Sequence, residues 1–275
     1  MRSFFALCII FFNLICFVSS FDFKMKISAV TIMALAPFFI ISVSFIGLLI
    51  YNMAAFFSGL APYTSGLRDF ALANIAFTVM HGICCYIGAA TMYARYTLLR
   101  HRSAESGKKR TWANVALLLL GLLACQAYFL ENFPVLAFQS AHIAGVLTAT
   151  VCASAYTIIN TVISYRTPPE KDGRVKCLLR LIISVTTVFF LVIGAAFAFM
   201  FIWMAPVNTQ LYEIMNILRV TSEWLSTVTF YGYLATFATD FKIYGFTIPK
   251  NMKDDWFYVR TKLPGDVEAN EESEI

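Results

Sequence analysis

Six long apolar stretches, each followed by a short polar segment, organise this chain. A helix that crosses a bilayer needs roughly 20 mostly apolar residues. On that criterion the pattern predicts helices over Ile27 to Tyr51, Phe70 to Leu99, Trp112 to Leu130, Ala137 to Tyr165, Cys177 to Ala205 and about Tyr212 to Phe241. The polar segments alternate in charge. Arg100, His101, Arg102, Lys108, Lys109 and Arg110, against Glu105, follow the second stretch, and Arg166, Lys171, Arg174 and Lys176 follow the fourth. Lys24 and Lys26 precede the first, while Lys242, Lys250 and Lys253 come after the sixth. The remaining segments hold only Arg68 with Asp69, then Glu131, then Glu213. Basic loops are retained in the cytosol, and an N-in, C-in arrangement is the one that puts every basic segment there. The expected fold is an all-α membrane protein, a six-transmembrane-helix bundle with both ends cytosolic.

Three regions follow from this pattern: an N-terminal, signal-like extension over 1–26, a six-helix transmembrane domain over 27–241, and an acidic cytosolic tail over 242–275. Arg2, the apolar run from Phe4 to Val18 and the pair Ser19–Ser20 have the form of a secretory signal. Cleavage there would leave Phe21 in the lumen and conflict with the loop charges, so an extension or an upstream start is the preferred reading, with Met25 a natural initiator. The tail ends in Asp266, Glu268, Glu271, Glu272 and Glu274, a composition expected to be solvated and disordered. Trp256, Phe257 and Tyr258 within it suit either a short docking motif or a return to the membrane interface.

Composition agrees with the pattern. Of 275 residues, 59% are hydrophobic and 13% charged, about half the charge of a soluble domain. The mean hydropathy is +0.71. The net charge of +5 sits in short loops, where it orients the chain and gives no signal for nucleic acid. Expected partners are therefore membrane lipids, with protein partners reached through the cytosolic loops or tail. Cys84, Cys85, Cys125 and Cys152 fall inside apolar stretches and no CxxC pair occurs, so no metal or redox motif is indicated. Cys177, at a cytosolic helix end, suits palmitoylation or a plain interfacial thiol.

Polar groups within a bilayer are costly and are candidate functional residues for that reason. Four stand out: His81 in the second stretch, His142 in the fourth, and Arg219 with Glu223 in the sixth. Arg219 and Glu223 are spaced i, i+4 and so share one helix face. A structural pair near the outer interface and a proton- or ligand-linked site both fit that spacing. His81 and His142 are placed to meet across the second and fourth helices. With three histidines in the chain, an all-histidine di-haem site is excluded, and no cofactor, metal or catalytic set is expected. Ala141, Gly145, Ala149 and Ala153 form a ridge of small side chains that lets helices approach closely, as do Gly194 and Ala198.

Gly88-Ala-Ala-Thr-Met-Tyr-Ala-Arg-Tyr96 ends the second stretch, Ile163-Ser-Tyr-Arg166 the fourth, and Phe237-Ala-Thr-Asp-Phe241 the sixth, with Ser222-Glu-Trp224 upstream. In this order and spacing these segments, with Pro62-Tyr63 and His142, resemble the damage-regulated autophagy modulator (DRAM) family over about residues 27–242. The resemblance implies a non-enzymatic six-helix protein of lysosomal or endosomal membranes that promotes autophagy. Wider relatives imply two alternatives, a plasma-membrane scaffold linked to phosphoinositide kinases and a lipid-remodelling enzyme. A small-solute transporter using Glu223 and His142 is a further alternative. Against it, residues 27–130 and 137–241 show no inverted repeat.

Overall fold

The computed structural model describes residues 29–57, 71–105, 111–131, 139–166, 173–204, 209–243, 246–247 and 258–259. Six long helices occupy most of them: α1 (Ala29–Phe57), α2 (Ala71–Glu105), α3 (Thr111–Glu131), α4 (Gln139–Arg166), α5 (Gly173–Met204) and α6 (Thr209–Ala235). A short α7 (Phe237–Ile243) follows. Phe246–Thr247 (β1) then pairs antiparallel with Tyr258–Val259 (β2).

Boundaries differ from expectation in several places; α1, for example, runs on to Phe57 and α5 starts at Gly173. α2 runs on through Arg100, His101 and Arg102 to Glu105, so residues assigned to a loop extend the helix. The expected sixth helix is two, interrupted at Thr236. There the Thr236 N–H bonds the Tyr233 carbonyl at 3.1 Å and its hydroxyl donates to the same oxygen at 2.7 Å. This local bonding competes with the i→i−4 ladder and tightens the turn. In the tail, α7 reaches Ile243 and the β1–β2 ladder packs beside the ends of α1 and α2, where unstructured chain was expected. The 1–26 extension and the acidic end of the tail lie outside the described residues.

Each long helix packs on the next in sequence, and α6 returns onto α1 to close the set. α6 also touches α2 and α4, which makes it the inner helix. Every residue from Ser222 to Tyr231 is buried. A helix enclosed by protein need not be apolar, and this accounts for its Ser and Thr content. Ser222 donates to the Leu218 carbonyl, Ser226 and Thr227 to Glu223, and Thr229 to Leu225, all within 2.7–2.9 Å. The hydroxyls are satisfied within the helix itself.

Among the described residues, four helices contain windows long and apolar enough to cross a membrane: Val30–Gly47, Trp112–Glu131, Ser140–Arg166 and Gly173–Met200. Their outward faces are apolar too. α5 exposes Leu178, Leu181, Val185, Phe189 and Val192 along one side. Soluble monomers rarely expose so continuous an apolar face, and lipid is its natural solvent. Trp112 (87% exposed) begins α3 and Tyr165 (76%) ends α4, at one end of the bundle, as interfacial aromatics do. The chain is an integral membrane protein.

Two details fix how the helices meet. Pro37 lies inside α1 and has no N–H, which leaves the Met33 carbonyl without its i→i−4 donor. The Thr91 hydroxyl of α2 lies 3.4 Å from that oxygen, and it also reaches its own Ile87 carbonyl at 2.9 Å. The single hydroxyl proton lies closer to Ile87, so the neighbouring helix offers the freed group only a long, shared contact. At Gly145 of α4, an added Cβ would stand 2.6 Å from the Glu131 amide nitrogen and 2.9 Å from the Ala127 carbonyl of α3. Only glycine allows that approach of the two backbones. Ala149 and Ala153 continue the same ridge fully buried.

Candidate functional site

Two buried polar clusters lie at opposite ends of the bundle. The first joins the end of α3, the start of α4 and the first half of α6. Arg219 donates to the Glu223 carboxylate at 2.6 Å, across one helical turn, and to the Asn216 side chain at 2.9 Å. His142 of α4 places Nδ1 2.7 Å from the Glu131 carbonyl of α3. Its Nε2 lies 3.3 Å from Arg219 and 3.5 Å from Glu223. Arg219, Glu223, His142 and Glu131 are all buried.

The four residues singled out from sequence therefore separate into a triad and an outlier. His142 meets Arg219 and Glu223, whereas His81 packs edge-on against Trp224, with centroids 5.5 Å apart at 77°. The two histidines flank the Glu223–Trp224 dipeptide on different sides of α6. Trp224 in turn stacks on Phe45 of α1 at 6.0 Å. Gly194 of α5 approaches the other flank, within 3.7 Å of the Glu223 backbone for an added Cβ.

The second cluster was not singled out from sequence. Arg95 of α2 and Arg180 of α5 both bind one carboxylate oxygen of Asp240 in α7, at 2.5 and 3.0 Å. Both guanidiniums also donate to the Ser164 hydroxyl of α4, Arg180 at 2.9 Å and Arg95 at 3.4 Å. Both lie over the Phe237 ring, 4.8 and 5.2 Å from its centroid. Arg180 further donates to the hydroxyl and the carbonyl of Thr236, each at 3.0 Å. Thr236 is the residue at the break between α6 and α7, and its carbonyl also accepts from the Thr239 hydroxyl at 3.0 Å. All three charged side chains are 1–2% exposed. Helices α2, α4, α5 and α7 converge on this cluster, and the site does structural work: buried charges persist where partners and hydrogen bonds compensate their desolvation. Cys177 belongs to the same end, its thiol buried and 3.2 Å from the Ser164 carbonyl.

Arg95 and Arg180 each fall near a helix end whose charges read as orienting loop charges, which hid them. The available signal was Asp240, the lone acid at the close of the sixth stretch, opposite two arginines with no acid of their own nearby in sequence. The segments that carry the family resemblance supply much of both clusters. One contributes Arg95, one Ser164, one Phe237 and Asp240, and one Glu223 and Trp224. Among the described residues no group of three or more His, Cys, Asp or Glu is placed to hold a metal ion.

Comparison with known proteins gives a consistent result. Residues 55–244 match the family described as the Frag1/DRAM/Sfk1/Cwh43P N-terminal domain. The chain is 27% identical to the DNA damage-regulated autophagy modulator protein 1 of Mus musculus over 234 residues, covering 82% of this chain and 97% of that protein. It is 27% identical to the Homo sapiens protein of that name over 76% of this chain and 91% of the relative. With the DNA damage-regulated autophagy modulator protein 2 of Bos taurus it shares 24% identity, over 66% and 72% respectively. No solved structure matches.

Proposed function

This chain belongs to the Frag1/DRAM/Sfk1/Cwh43P N-terminal domain family, and on that premise we propose that it is a non-enzymatic, polytopic membrane regulator of autophagy at lysosomal or endosomal membranes. The observation that carries this reading is similarity along nearly the whole length of a relative named as an autophagy modulator. The candidate polar residues support it. Arg219, Glu223 and His142 are occupied with one another, as parts of a packed joint rather than a reaction centre.

In this reading residues 27–241 form one membrane domain that crosses six times, and 242–275 extends into the cytosol. The Arg95–Arg180–Asp240 cluster then faces the cytosol, beside the basic segments, and the Glu223 cluster faces the lumen. Lipids surround the bundle, and protein partners dock on the cytosolic loops or tail. Imaging of the tagged full chain against lysosomal, endosomal and plasma-membrane markers, with autophagic flux measured after depletion and re-expression, tests the proposal. Endolysosomal signal and a flux defect reversed by re-expression are expected. Confinement to the plasma membrane with unchanged flux would favour the scaffold alternative.

A further inference from the structure

Away from the helix ends, two polar side chains face outward without a hydrogen-bond partner among the described residues. Tyr86 of α2 is 79% exposed, and Gln126 of α3 is exposed as well. Each closes an apolar stripe with the same spacing. Val79 and Ile83 precede Tyr86 on its face of α2, and Leu119 and Leu123 precede Gln126 on its face of α3. Lipid suits the rest of both stripes but not their polar members. By contrast, the exposed residues of α5 from Leu178 to Val192 are all apolar.

The two side chains also lie at one depth. Cys85 Sγ donates to the Cys125 carbonyl at 3.0 Å, which fixes the level at which α2 and α3 meet. Gly82 against Phe129 and Gly121 against Met92 bracket that contact and show the helices running antiparallel. Tyr86 and Gln126 each follow the contact by one residue, so their levels agree to within about one helical turn. The apolar window of α3 runs on to Glu131, which leaves Gln126 about 7 Å inside it at the usual helical rise. Acyl chains offer neither donor nor acceptor, so a phenol and an amide facing them forfeit the hydrogen bonds that water would supply.

We propose that this α2–α3 face is the contact between two copies of the chain, with Tyr86 of each copy bonded to Gln126 of the other. A two-fold axis along the membrane normal returns every residue at its own depth, and the same patch serves both copies. Two residues of equal depth on adjacent helices then meet reciprocally. Their chemistry is self-complementary, since the phenol donates to the amide oxygen or accepts from the amide N–H. Each interface holds two such pairs. Polar side chains hold membrane helices together in this way, and small ones let the backbones approach. Ala90, one turn beyond Tyr86, and Ala116, one turn before Leu119, supply small side chains on the same two faces. The proposal requires only that the chain spans a membrane, and it holds for either orientation.

The test reconstitutes full-length chains, labelled with donor or acceptor fluorophores, in phosphatidylcholine vesicles and follows energy transfer as the protein-to-lipid ratio rises. Wild type should reach a plateau with the stoichiometry of a dimer. Tyr86→Phe removes one outward oxygen and Gln126→Leu one outward amide, so both variants should keep the wild-type melting temperature. Each should weaken association about tenfold, as two modest intramembrane contacts are lost per dimer. The double variant should be little weaker than either single one, because both remove the same bonds. In cysteine-depleted chains, Tyr86→Cys mixed with Gln126→Cys should be joined between copies by a short bis-maleimide, whereas Val185→Cys on α5 should not. Monomers at every ratio overturn the proposal, whether lipid or another segment of the same chain covers the face. A dimer that both substitutions leave intact, or that cross-links through Val185→Cys instead, overturns it as well.

Discussion

Glu223 and Arg219 are one helical turn apart on the most enclosed helix of the protein, and their pairing sets what each substitution costs. Removing either alone takes the 2.6 Å ion-pair contact away from a buried charge. Intramembrane polar contacts measure about 1 kcal/mol on average, so Arg219→Leu and Glu223→Leu should each lower the yield of folded protein modestly. The double variant Arg219→Leu with Glu223→Leu should recover much of that loss in a thermal-stability assay. At the opposite end the stakes are higher, because Asp240 alone faces two guanidiniums. Asp240→Asn should destabilise the protein by about 3–5 kcal/mol, the range for breaking a buried pair, read as a lowered melting temperature in detergent. A melting temperature equal to wild type would show that Arg95 and Arg180 find other partners. At this scale the sequence was half legible. The i, i+4 spacing disclosed the Arg219–Glu223 pair, since spacing along one helix is local information. The Arg95–Asp240 contact joins residues 145 positions apart, and no local pattern encodes it.

The helices themselves were legible because long apolar stretches carry their own signal. Expected and observed limits of α3 differ by one residue at each end, Trp112 to Leu130 against Thr111–Glu131. The break at Thr236 was not legible, as its hydroxyl gives no hint that it would bond Tyr233 rather than pack outward. Helix contact is where glycine position matters most. Gly145 stands against the α3 backbone, whereas a Cβ added at Gly47 would meet nothing within 4 Å. Gly145→Val should therefore force α3 and α4 apart and reduce folded protein severely, while Gly47→Ala should leave stability within about 0.5 kcal/mol of wild type, as for other exposed sites. Comparable behaviour of the two variants in a fluorescence size-exclusion assay would contradict the packing described here.

For the whole molecule, the inner position of α6 relates composition to architecture. Its Arg, Glu, Ser and Thr residues weaken it as an apolar span, yet α1, α2, α4 and α5 pack around it and those groups bond largely within α6 itself. The two clusters then pin the bundle at both ends, one through α3, α4 and α6, the other through α2, α4, α5 and α7. The central claim is that this bundle crosses the membrane six times with the Arg95 end cytosolic and the Glu223 end lumenal. Single cysteines introduced into a cysteine-depleted full chain, in sealed vesicles, test it with an impermeant thiol reagent. Applied from the lumenal side, the reagent should label cysteines placed at Ser65 and Asn208 and spare those at Ser106 and Gly173. Labelling at Ser106 or Gly173 from that side, with Ser65 and Asn208 protected, would contradict it.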